Sequence, residues 1–149
     1  MKFYKLVFIM HRRINTNRPV AINGIGDARS VCKAAINYGH RVTLWSSKGA
    51  SGHMGPLWFL EISKRINREF PELAIQAVLD CGAAPGDAMA AIRSGIKAIA
   101  LTAKFPVKNK IRHIATEEKV VLVKRVPKIL DLKYSSNPED DCRIWFGIS

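Results

Sequence analysis

The sequence is short of acidic residues, of paired cysteines and of any long hydrophobic run. Only 12 Asp and Glu stand against 24 Lys and Arg, a formal net charge of +12. That imbalance favours anionic partners such as nucleic acid, phosphorylated metabolites or acidic lipids. The cations are scattered, with the tightest groupings at Arg12-Arg13, Lys64-Arg65 with Arg68, residues 104–112, and Lys124-Arg125 with Lys128. A dense basic stripe, or aromatics interleaved among cations, is missing, so weak nucleic-acid binding ranks third among the functions considered. The cysteines Cys32, Cys81 and Cys142 are odd in number and widely separated, without zinc-ligand or redox-motif spacing, which fits a reduced, cytoplasmic chain. His11, His40, His53 and His113 also lack metal-ligand spacing, and no metal is expected. The apolar run at residues 3–10 is interrupted by Lys5 and followed by His11-Arg12-Arg13. It is too short to span a bilayer and makes a poor signal peptide, so an added strand or ordered lead-in is expected and a membrane partner is not.

What is present is a globular balance. At 149 residues, 48% hydrophobic and 24% charged, the chain fits one domain with a real core. Residues 19–23 read as a strand delivered into Gly24-Ile25-Gly26-Asp27, where Asp27 is expected to cap a helix. Val31, Ala34, Ala35 and Tyr38 recur at helical spacing before Gly39, and residues 41–45 read as the next strand. Residues 46–56 hold three glycines and three serines and read as a mobile loop, with Pro56 in the first turn of the following helix. In that helix Trp58, Ile62 and Ile66 form an i, i+4 ladder, and Pro71 stops it.

Residues 73–79 form a nearly continuous apolar run, the best candidate for a central strand covered on both faces, ending in Asp80-Cys81-Gly82. Asp87 then caps a small-residue helix that ends at Gly95, and residues 97–102 return as a strand. Phe105-Pro106 opens a helix lined by Val107, Ile111, Ile114 and Ala115, and residues 120–123 close the alternation. An echo supports repeated helix-glycine-strand units: Ala34-Ala35-Ile36, Gly39 and Arg41 match Ala90-Ala91-Ile92, Gly95 and Lys97 at constant offset. The expected fold is therefore a three-layer α/β/α sandwich around a mainly parallel sheet of about five strands, flavodoxin-like or Rossmann-like. Residues 1–18 are a lead-in, residues 19–132 the domain, and residues 133–149 a tail, docked or disordered. Trp145 and Phe146 make docking, on the domain or on a partner copy, the preferred outcome.

In such sheets the loops leaving the strands' C-terminal ends gather on one edge, where helix N-termini offer amides to anions. The candidate ligand contacts on that edge are Gly24, Gly26, Ser46, Ser47, Lys48, Ser51, His53, Thr102 and Lys124, with Asp80 as a candidate acid/base or metal-facing group. No cofactor motif is complete, so the cofactor stays unassigned. Arg29 stands where a dinucleotide fingerprint needs its third glycine, and the Ser46 loop lacks the ordered ending of a P-loop. Cys81 lacks the arginine six positions on that a phosphatase-type nucleophile needs, that position being Asp87, so it reads as a packed residue.

Asp80, Thr102 and Lys124, each near a strand end, resemble the phosphoacceptor, switch hydroxyl and lysine of response-regulator receiver domains. The resemblance covers three positions; the acidic pair after the first strand is replaced by Asn23 and Asp27. It implies a degenerate receiver-like fold. The leading functional expectation is binding of a phosphorylated or other anionic small molecule at the sheet edge, with or without catalysis. The alternative is a non-catalytic interaction or regulatory module that self-assembles through its tail.

Overall fold

The computed structural model describes residues 13–148. The lead-in expected over residues 1–12 lies outside the described residues. The described chain alternates β1 (Val20–Ile22), α1 (Ile25–Ala35), β2 (Val42–Ser46), α2 (Ala50–His53), α3 (Pro56–Glu69), β3 (Ile75–Asp80), α4 (Pro85–Arg93), β4 (Ala98–Ala100), α5 (Val107–Glu117), β5 (Val121–Leu122), β6 (Leu130–Asp131) and α6 (Pro138–Phe146). Among the described residues the sheet has six strands, all parallel, in the order β5-β4-β3-β2-β1-β6. The α/β class and parallel sheet agree with the sequence, and the strand count rises from about five to six. The sixth, β6, is two residues long and exists by pairing Leu130 with Val20 and Asp131 with Ala21.

Alternation along the strands divides the core in two. Val20, Ile22, Val42, Leu44, Ile75, Leu79 and Ile99 join the larger cluster, which also holds the buried apolar side chains of every described helix. Ala21, Trp45, Val78, Ala98, Ala100 and Val123 point to the opposite face. Among the described residues that face is covered by irregular chain. Ile14 and Ile129 pack on it, and Asn15 accepts from Thr43 Oγ1 at 2.6 Å and donates its amide to Gln76 Oε1 at 2.9 Å. The alanines let this thin cover lie close to the sheet, and the short polar bonds satisfy the buried Thr43 and Gln76.

The cover includes the link from β5 to β6. These strands occupy opposite edges, five spacings or roughly 24 Å apart in a flat sheet. Eight Cα steps from Leu122 to Leu130 reach at most roughly 29 Å. The link bends at Lys124 and Arg125 and has little slack over that span, and its ends, Val123 and Ile129, both lie in the cluster on this face.

Each helix is amphipathic, with some shifts from the sequence reading. The buried stripe of α3 is Phe59, Ile62 and Ile66, with Trp58 only partly buried at its margin. In α5, Ile111 and Ala115 are buried while Val107 is exposed. The helix caps also differ. Neither Asp27 nor Asp87 is an N-cap: those positions are Gly24 and Ala84, without side-chain cap bonds. Asp27 sits in the first turn and reaches back, its Oδ2 accepting from the Asn23 amide at 2.9 Å.

The tail folds as α6 against α1. Asn137 accepts from the Asp140 amide at 3.4 Å, Pro138 follows at the first helical position, three acidic residues occupy the first turn, and Gly147 at φ 74° ends the helix. Cys142 and Phe146 are buried, Phe146 stacks on Tyr38 with ring centroids 4.4 Å apart, and Trp145 Nε1 donates to Pro19 O at 3.2 Å. Trp145 and Phe146 are thus engaged inside the chain, while Tyr134 is exposed. No helix among the described residues is long and apolar enough to cross a membrane.

Candidate functional site

The C-terminal ends of β2, β3 and β4 are tied together around Asp80. This carboxylate is 7% exposed, and its Oδ1 accepts from the Gly49 amide at 3.0 Å and the Gly82 amide at 2.8 Å. The Asp80 amide in turn donates to Ser46 Oγ at 2.8 Å. Both glycines have left-handed backbones, φ 70° at Gly49 and 59° at Gly82, which aim their amides at one oxygen. A Cβ on Gly82 would sit 3.5 Å from the Gly49 Cα, so the two loops touch through backbone. Asp80 Oδ2 accepts no hydrogen bond from the described residues.

The segment read as a mobile loop is folded. Its centre is the short helix α2, with Ala50 and Ser51 buried and Ser51 Oγ donating to Asp87 O at 3.2 Å. Gly52 lies against α4, where an added Cβ would stand 2.8 Å from Asp87 Oδ2. These contacts are tertiary, so glycine and serine composition alone gave no sign of them. They also place the His53 ring beside Gly49: a Cβ there would be 3.7 Å from Nε2. On the other side, the Thr102 amide donates to Gly82 O at 2.7 Å and the Cys81 amide to Ala100 O at 2.8 Å, carrying the β3–β4 pairing past the strand ends.

Of the candidate residues, Ser46, Ser51 and Asp80 are buried within this clamp, Ser47 is partly buried, and Lys48, His53 and Thr102 are exposed around it. Gly24 lies in the turn after β1, the neighbour of β2, and Gly26 in the first turn of α1, and a Cβ at either would meet open space. Lys124 is exposed beyond the end of β5, two strands from Asp80. The amides of Gly49 and Gly82 were not among the candidates. Their signal was a glycine placed after each of two strands ending in a polar residue.

The cysteines are packed side chains. Burial pushes the Cys81 thiol up to about 11, and burial likewise pushes Cys32 and Cys142 up to about 12. No group of three His, Cys, Asp or Glu able to hold a metal ion occurs among the described residues. The receiver resemblance meets an obstacle in the strand order. In the order 2-1-3-4-5 used by that fold type, the first strand borders the third. Here β2 lies between β1 and β3, and the Asp27 carboxylate is engaged with Asn23, so neither Asn23 nor Asp27 stands beside Asp80.

No protein-family model matches the chain, and no curated protein matches it. The chemistry of the site rests on its own residues.

Proposed function

We propose that the protein binds a phosphorylated or other anionic small molecule at the C-terminal edge of its sheet, over the loops after β1, β2, β3 and β4. The observation that carries this reading is the clamp. Asp80 fixes the Gly49 and Gly82 loops against each other while Lys48, His53 and Thr102 remain in solvent around them. A preformed loop pair costs less to order on binding than a free one. The N-terminus of α1 has no side-chain cap and its glycines are open to close approach, although the Asp27 carboxylate in its first turn offsets part of its attraction for an anion. Lys48 and His53 supply side-chain donors. Asp80 Oδ2 is left to accept from a ligand hydroxyl, which makes a phosphorylated polyol a better fit than a bare anion. In a catalytic version the same oxygen would take the proton of that hydroxyl.

The test is a thermal-shift screen of phosphorylated polyols and nucleotides, followed by titration of any hit. The expected result is stabilisation that falls by about tenfold in affinity in Lys48→Ala, equivalent to roughly 1.4 kcal/mol. Stabilisation unchanged in Lys48→Ala and in His53→Ala places the ligand elsewhere and refutes the reading.

A further inference from the structure

A cleft lies at the opposite edge of the sheet from the clamp, where the strands begin, and its ligand chemistry differs from that of the clamp. Its volume is about 490 Å³, within the range of small-molecule sites. It runs between α3 and residues 95–98, which lead from α4 into β4, over the first residues of β3. α3 leans on α1 and α4 leans on α5, and α2 packs against β3 and α4 nearer the clamp. Ala77, on the helix-facing side of β3, is the one residue of that strand not fully buried, so the cleft reaches bare sheet.

The walls are apolar: Phe59 and Leu60 from α3, Ile75 and Ala77 from β3, and Ile96. Charge at the rim has one sign. Lys64, Arg68 and Lys97 border the cleft, all exposed, and none of the described lining residues is acidic. Lys64 is paired at 3.9 Å with Glu61, one turn away on α3. The lining polar groups nearest the sheet are already satisfied, since Gln76 Nε2 donates to Arg13 O at 2.8 Å and Asn67 Nδ2 to Ser63 O at 2.8 Å. The cleft therefore offers burial to a nonpolar body and cations to a single anionic head, with few unpartnered groups to recognise a polar body.

We propose that this cleft binds a medium-chain acyl carboxylate, its chain lying on Ala77 and Ile75 and its head between Arg68 and Lys97. The site is separate from the sheet-edge clamp, and either stands without the other. An apolar cleft alone would take a neutral chain equally well. The one-signed rim is what selects the carboxylate, through charge-assisted bonds that an alcohol head cannot match.

The experiment is calorimetric titration of the full chain with octanoate, decanoate and decanol, kept below their aggregation limits. Affinity for the carboxylates is expected to rise about fourfold per added methylene, the factor that burying each group gives. Decanol is expected to bind about tenfold more weakly than decanoate. Arg68→Glu and Lys97→Glu change exposed side chains; each is expected to weaken decanoate about tenfold and leave decanol unchanged. Ala77→Leu, which fills the floor, is expected to abolish binding of both. If Ala77→Leu does not fold, the two charge reversals decide the matter. No saturable heat with decanoate, affinity independent of chain length, or decanoate binding indifferent to both charge reversals overturns the proposal.

Discussion

Replacing Asp80 isolates what holds the sheet edge together. Its Oδ1 accepts two backbone amides, from Gly49 at 3.0 Å and Gly82 at 2.8 Å. A hydrogen bond to a charged group contributes roughly 1.5–3 kcal/mol. Both glycines are only partly buried, so their amides regain water once the carboxylate is gone, and the low end of that range applies. Asp80→Ala is therefore expected to cost about 3 kcal/mol. Asp80→Asn keeps an acceptor in place without the charge and is expected to cost about half as much. At roughly 2–4 °C per kcal/mol for a chain near this size, the alanine variant melts roughly 6–12 °C lower. Urea unfolding supplies the free energies, with an unchanged slope showing that the unfolded state is the same. Amide exchange adds the local readout: Gly49 and Gly82 lose protection in Asp80→Ala before the strands do. An alanine variant within about 0.5 kcal/mol of the parent, with both amides still protected, refutes the clamp.

Other consequences are independent of that carboxylate. Because burial raises all three thiols, to about 11 for Cys81 and about 12 for Cys32 and Cys142, the native chain is expected to react with a thiol reagent at pH 8 no faster than it unfolds; a stoichiometric burst from any one cysteine contradicts their packing. Glu69, hydrogen-bonded by Arg29 across α1 and α3 at 2.7 and 2.8 Å, is held down to about 2 from an ordinary 4.5. A carboxylate lowered on folding stabilises above its unfolded pKa, so this contribution is complete above about pH 4.5 and is lost as pH falls toward 2. Arg29→Gln is expected to return the Glu69 titration, followed by carboxyl chemical shift, toward its ordinary value and to flatten the stability change over that window; an unmoved titration contradicts the pairing. Deleting Arg125 and Val126 shortens the β5–β6 link by roughly 7 Å, below the span of the sheet, and is expected to release β6 and α6, seen as loss of protection in residues 130–146 with β1 to β4 still protected. Full protection there means the link has slack.

Much of the fold was legible because local chemistry and tertiary structure agree. Pro56 and Pro71 bracket α3, Gly95 ends α4 with φ of 93°, and the apolar run before Asp80 is the central β3, whereas α1 already ends at Ala35 and Gly39, at φ 73°, lies past the turn that follows it. Three elements were missed for different reasons. β6 has two residues, too few for a period, and is defined by its pairing with β1. α2 has four, held by Asp80 and by the contacts with α4. α6 did carry its signals, with Asn137, Pro138, an acidic first turn and Gly147, but the polar run from residue 133 outweighed them in a reading led by hydrophobic period. At the site, Asp80 was legible as a polar residue ending a buried strand, whereas its two amide donors depended on how two loops meet. The opposite cleft left no sign in the sequence, because Arg68, Ala77 and Lys97 belong to three elements and read singly as surface or core.

An anionic ligand seated over the clamped loops would touch their backbone amides directly. The most direct measurement is an amide correlation spectrum of isotopically labelled protein, titrated with glycerol phosphate and repeated in Lys48→Ala. The expected result is saturable shifts at Gly24, Gly26, Gly49, Gly82 and Thr102, weakened in the variant, with Ala77 and Lys97 at the opposite edge unmoved. Shifts confined to that opposite edge, or none that saturate, contradict it.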